Sequence, residues 1–158
     1  MDSNVFEKVC GRIASYKNDV TEIQTKLTAI PALGPENGGD GELEKSTYIK
    51  ELLSALSGGS LETVDAPDER VSAGVRPNLF YKIPGKKSDK TVWIMSHMDI
   101  VPPGDESLWD TDPYEVVQKG DKLFGRGTED DQQGFISSFL AVKALQAENV
   151  IPEYDVGI

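Results

Sequence analysis

Cysteine and histidine are almost missing: Cys10 and His97 each stand alone among 158 residues. One cysteine excludes an internal disulfide and any paired-cysteine metal site. Basic residues are few, 16 Lys and Arg against 27 Asp and Glu, which leaves a formal charge of −11. Binding of nucleic-acid phosphates needs clustered cations. Adjacent basic residues occur only at Lys86-Lys87, so nucleic acid is not an expected partner. No apolar run approaches the ~18–20 residues of a membrane span. The opening stretch MDSNVFEKVCGRIASYK scatters charges through its apolar positions, unlike a signal peptide. Asn-x-Ser/Thr acceptors are also missing. These absences read together as a cytoplasmic protein with no membrane partner.

What is present suffices for a core. Apolar residues make up 38% of the chain, and Leu, Ile, Val and Phe alone exceed the roughly 20% below which chains stay disordered. The acid is uneven. From Asp99 to Asp131 there are ten acidic residues against three basic ones. Such a run is either a solvated loop or a site for a hard cation.

Periodicity separates helices from strands. Val5, Val9, Ile13, Tyr16, Val20, Ile23, Leu27 and Ile30 form one helical stripe, capped at Ser3 or Asn4 and stopped by Pro31. Gly34–Gly41 reads as a flexible connector. A helix from Leu43 to Ser57 should turn Tyr48, Leu52, Leu53 and Leu56 inward. Leu61–Val64 and the alternating Leu79–Ile83 read as strands. A turn at Gly85–Asp89 should pair Leu79–Ile83 in a hairpin with Thr91–Ser96, whose apolar residues on both faces suit a covered central strand. Glu115–Gln118 and Lys122–Phe124 form a small hairpin, Asp131–Glu148 a long helix, and Tyr154–Ile158 the start of another strand. The expected fold is α/β, a three-layer α/β/α sandwich with a mixed sheet.

His97 directly follows the most apolar strand, and in α/β sheets sites form beyond the carboxyl ends of strands. Alone, His97-x-Asp99 is compatible with a packed surface histidine. Asp130, in Leu123-Phe-Gly-Arg-Gly-Thr-Glu-Asp-Asp131, is alone compatible with a helix cap, with Gly125 and Gly127 making a turn. Arg126 and Glu129 read as structural.

The combination is more specific. An apolar strand, His-x-Asp, an acidic loop containing Trp109 and Pro113, then Leu-Phe-Gly-Arg-Gly-x-x-Asp-Asp before a helix resembles the M20 family. These are zinc metallopeptidases and amidohydrolases, including the acetylornithine deacetylase and succinyl-diaminopimelate desuccinylase group. The likeness runs from about Ile23 to the end and is strongest between Asn78 and Leu145. It implies that His97 is a zinc ligand, that Asp130 bridges two zinc ions, and that Asp99 is the catalytic Asp orienting His97. It also implies a cis peptide at Asp130–Asp131. Imidazole and carboxylate are ordinary zinc ligands, and a carboxylate behind the ring fixes its tautomer. Cobalt or manganese would suit the same donors.

Two departures stand out. Gln132 and Gln133 occupy positions where the family usually has Lys and Gly. The family's Glu-Glu pair, a general base followed by a ligand, would lie beyond Ile158, as would further ligands and a lid or dimerisation domain. Residues 1–158 are therefore expected to be the N-terminal portion of a catalytic domain, holding half of a dinuclear site and inactive alone. The complete enzyme would hydrolyse amide or peptide bonds in acyl-amino acids or peptides. The alternative is a non-catalytic α/β binding or assembly module that keeps the half-site. A serine hydrolase using Ser96 or Ser137 lacks the Gly-x-Ser-x-Gly elbow. Unpaired strand and apolar helix surfaces make self-association an expectation.

Overall fold

The computed structural model describes residues 3–158. Its first stripe is split. α1 spans Ser3–Ala14 and α2 spans Lys17–Ala29, with Ser15 Oγ donating to the Arg12 carbonyl at the break. That hydroxyl competes for the helix's own acceptor, and the bend lets α2 bury Ile23 and Leu27 while Ile13 stays exposed. Ser3 and Asn4, expected as caps, lie inside α1.

α3, Leu43–Ser54, presents a face rotated from the expected one. Ile49, Leu53, Ser46 and Lys45 are buried, while Tyr48, Leu52 and Leu56 are half-buried against the core. The connector before it is not free. Asp40 accepts hydrogen bonds from Ser72 N at 2.6 Å and from Ser72 Oγ, and Leu33 bridges Ile100.

The strands are β1 Ser60–Pro67, β2 Val75–Ile83, β3 Lys87–Trp93, β4 Val117–Lys119, β5 Lys122–Phe124 and β6 Tyr154–Gly157. β4 and β5 form the expected hairpin. The other four make a mixed sheet in the order β1-β2-β6-β3. β2 and β3 are not a hairpin, because β6 lies between them, antiparallel to β2 and parallel to β3. Asp155 explains the insertion. Its carboxylate accepts from Gly85 N and Ser88 Oγ, both at 2.9 Å, so the connection after β2 bonds to β6 rather than folding back. Gly85 is required there, since a Cβ would lie 2.2 Å from the Tyr154 carbonyl carbon.

Tyr81 and Ile83 point from β2 into the core, against Ile23, Leu27, Ile49, Leu53 and the buried face of α4, Gln133–Ala147. On the opposite face Phe80 meets Trp93 edge-on at 5.9 Å. Val92, Trp93, Ile94 and Met95 are exposed. β3 is thus the last strand in the sheet order, not the covered central strand that its composition suggests.

Candidate metal centre

Two structural devices bring the candidate residues together. After β3 the chain runs without regular secondary structure through His97 to Ile100, where Ile100 N donates to Ala32 O at 3.0 Å and Ile100 bridges Leu33. This tether fixes the strand end that carries His97. On the other side Gly127, at φ 83°, opens a wide turn over Thr128–Gln132 that leads into α4. A Cβ at position 127 would meet Gln132 Nε2 at 2.7 Å and Ile100 Cγ2 at 2.8 Å, so the turn needs glycine. Within the turn Asp130 is extended, at φ −117° and ψ 96°, and the Asp130–Asp131 peptide is cis.

The result places His97 Nε2 at 2.8 Å from Asp130 Oδ1. His97 Nδ1 faces the Asp99 carbonyl oxygen at 3.0 Å and Asp99 Oδ1 at 3.3 Å. All three side chains are partly or largely exposed, Asp130 at 86%. They line a cavity of about 210 Å³ together with Arg126, Thr128 and Glu129. With oxygens facing both ring nitrogens, the imidazolium satisfies every contact. Partial burial works against that charge, but the hydrogen bonds to Asp130 and Asp99 outweigh it and hold the His97 pKa above its ordinary value. Neither nitrogen is left for Ser96, which removes the basis for a serine nucleophile.

The nitrogen and carboxylate of His97 and Asp130 fit a zinc-type cation, and Asp99 stands where a carboxylate behind the ring should. Among the described residues no group of three His, Cys, Asp or Glu side chains converges to cage a metal. Three others of the acidic run have structural partners: Asp105 and Asp112 accept backbone N–H groups at turns, and Asp121 pairs with Lys17. Arg126 stacks on Trp109 at 5.2 Å, and its backbone N–H bonds Pro113 O.

Periodicity did not reveal two polar clusters below this surface. Under Asp130, Gln132 Oε1 accepts from Thr28 Oγ1 at 2.9 Å and from Gln24 Nε2, while Gln132 Nε2 donates to Leu27 O at 3.4 Å. All three polar side chains are buried. Gln24 and Thr28 each follow a core residue of α2 by one position, the only trace that sequence offers. Beside Asp99, Arg76 makes a two-point pair with Glu42, its Nε 2.9 Å from Oε2, and Lys45 is 1% exposed.

Residues 93–158 match the profile of peptidase family M20/M25/M40. An uncharacterized metallohydrolase of Methanocaldococcus jannaschii is 37% identical over 144 residues, covering 89% of this chain and 35% of that protein. The chain carries an M20 segment at residues 93–158. An acetylornithine deacetylase of Dictyostelium discoideum, 34% identical, is matched over 75% of this chain and 29% of its own length. The chain thus spans about a third of the length of the curated relatives it matches. Among solved structures, the di-peptidase Dug1p of Saccharomyces cerevisiae superposes with a TM-score of 0.79 at 26% identity, over 96% of this chain and 33% of that one. The mixed α/β architecture is that of M20 peptidase domains.

Proposed function

We propose that residues 1–158 are the N-terminal portion of the catalytic domain of a cytoplasmic, zinc-dependent hydrolase of amide or peptide bonds. Acyl-amino acids or peptides are its substrate class, a reading supported by the deacetylase and the di-peptidase that the chain resembles. His97 is a ligand of one zinc, Asp130 the carboxylate shared between two, and Asp99 the group that orients His97. The observation that carries this is the 2.8 Å approach of His97 Nε2 to Asp130 Oδ1, with Nδ1 held from behind by Asp99.

Each residue has a definable task. Asp99 accepts a hydrogen bond from Nδ1–H, which keeps the proton on Nδ1 in the neutral ring and leaves the Nε2 lone pair for the cation. Asp130, set by the cis turn, presents Oδ1 to the same point. A zinc pair held there supplies Lewis acidity, which activates water near neutral pH and offsets charge developing on a carbonyl oxygen. The general base and the remaining ligands are not assigned to these residues, so the segment alone should bind zinc weakly and turn over nothing.

Equilibrium dialysis of zinc against the chain and against His97→Ala tests the reading. Uptake that disappears in the variant supports it; equal uptake by both overturns it. The apolar surface at Phe80, Trp93, Ile94 and Met95 supports self-association, which sedimentation velocity at two concentrations reads directly.

A further inference from the structure

Asp130 is not placed by its own packing. Its side chain is largely exposed and, among the described residues, bonds only His97. Its position therefore comes from the backbone on either side of it. Gln132, two residues on, supplies an anchor. Its backbone N–H closes the turn by donating to Gly127 O at 3.2 Å. Its side chain folds back inside the same turn, where a Cβ on Gly127 would meet Nε2 at 2.7 Å. From there Oε1 accepts from Thr28 Oγ1 at 2.9 Å and from Gln24 Nε2, and Nε2 donates to Leu27 O at 3.4 Å. Gln24 Nε2 also donates to Thr28 Oγ1 at 3.2 Å, which closes a triangle of side chains. All three are buried. An apolar side chain would fill this space without desolvating an amide, so burial alone does not explain the choice. A satisfied hydrogen-bond network adds direction: it fixes one arrangement where apolar packing tolerates several.

We propose that Gln132, with Gln24 and Thr28, is a positioning unit for the candidate metal centre: the three buried side chains tie the inside of the 127–132 turn to α2 and so hold Asp130 Oδ1 at the point that His97 Nε2 faces. This rests on His97 and Asp130 being the metal-binding pair. None of the three lines the cavity at His97, so they act through the backbone of the turn and not on a bound cation. α2 thereby becomes part of the site, although Thr28 precedes Gln132 by 104 residues and carries no metal ligand.

The test compares the chain with Gln132→Met, which keeps the length of the side chain and removes its hydrogen bonds. In metal-free protein, 15N relaxation at the amides of residues 129–131 should give order parameters near the rigid value of about 0.85 in the wild type, and below about 0.6 in the variant, while the amides of α4 stay rigid. Zinc affinity, measured where both proteins are fully folded, should fall about tenfold, within the range for residues that support a metal ligand. A purely structural role would lower the unfolding midpoint and leave both readings of the folded protein unmoved. Either reading unmoved overturns the proposal. If Gln132→Met does not fold, Thr28→Val and Thr28→Ser decide. The valine, which loses the hydroxyl, must move both readings in the same sense by a smaller amount, and the serine, which keeps it, must move neither. Equal effects of the two would assign the change to packing and overturn the proposal. The amide reading needs no metal. Failure of zinc uptake in the wild type would sink the metal reading alone, and rigid amides in the variants would sink this inference alone.

Discussion

Two buried polar clusters underlie the candidate site, and they are built on opposite principles. Beneath Asp130, Gln24, Thr28 and Gln132 are neutral and tied to one another and to the Leu27 carbonyl. Beside Asp99, the cluster is ionic: Glu42 and Arg76 satisfy each other, while the buried Lys45 Nζ has no hydrogen-bond partner. A neutral, satisfied network adds stability and rigidity together. An under-satisfied charge costs stability instead. The first cluster lies under the turn that carries Asp130; the second lies beside Asp99. Substitution should separate the two.

The largest effect is expected from Gln132→Leu. Its loss leaves Gln24 Nε2 and Thr28 Oγ1 buried without their shared acceptor, a cost of about 3 kcal/mol. Urea unfolding should show the midpoint falling at constant slope, and zinc uptake should fall with it because the turn carrying Asp130 loosens. Lys45→Met should move stability the other way, upward by about 1–2 kcal/mol, as a buried ammonium is exchanged for an apolar end. Falling stability in Lys45→Met would show the two clusters to be alike and end the comparison. Thr28→Val should cost less than Gln132→Leu, about 1 kcal/mol, because Gln132 Oε1 keeps its bond from Gln24. An equal cost for the two would mean that the network acts as a single unit.

The sequence carried the site further than the sheet. The resemblance to the M20 family singled out His97, Asp99 and Asp130, and the structure brings those three residues together. The β4–β5 hairpin, α4 and the entry of β6 followed from local patterns that the chain obeys locally. The β2–β3 pairing did not, since a turn sequence says nothing about Asp155, seventy residues away, drawing β6 between the two strands. Apolar residues on both faces of β3 suggested a covered strand, yet Val92 and Met95 are exposed, at 53% and 89%. The single stripe over the first thirty residues broke at Ser15 because an apolar period specifies a face, not a straight axis. The burial of Lys45 and of Gln132 escaped notice for a related reason. A polar residue facing inward is read as facing out until its partners, distant in sequence, are known.

The smallest expected effect is electrostatic and falls on one residue. His97 holds its proton more tightly folded than unfolded, since Asp130 and Asp99 outweigh the burial of its ring. That proton contributes stability fully below the ordinary histidine value of 6.5, and the contribution fades as pH rises through the raised folded value. Zinc uptake must run in the opposite sense. The cation competes with the same proton for the space between Nε2 and Oδ1, so affinity should climb with pH over that window. With one histidine in the chain, a single NMR titration curve reports the folded value. Asp130→Asn should lower it more than Asp99→Asn, because the Asp130 side chain bonds the ring directly while the Nδ1 bond to the Asp99 backbone carbonyl survives the substitution. The reverse order would make Asp99 the dominant partner of the ring. It would then shift the weight of the site from the neutral cluster beneath Asp130 to the charged one beside Asp99.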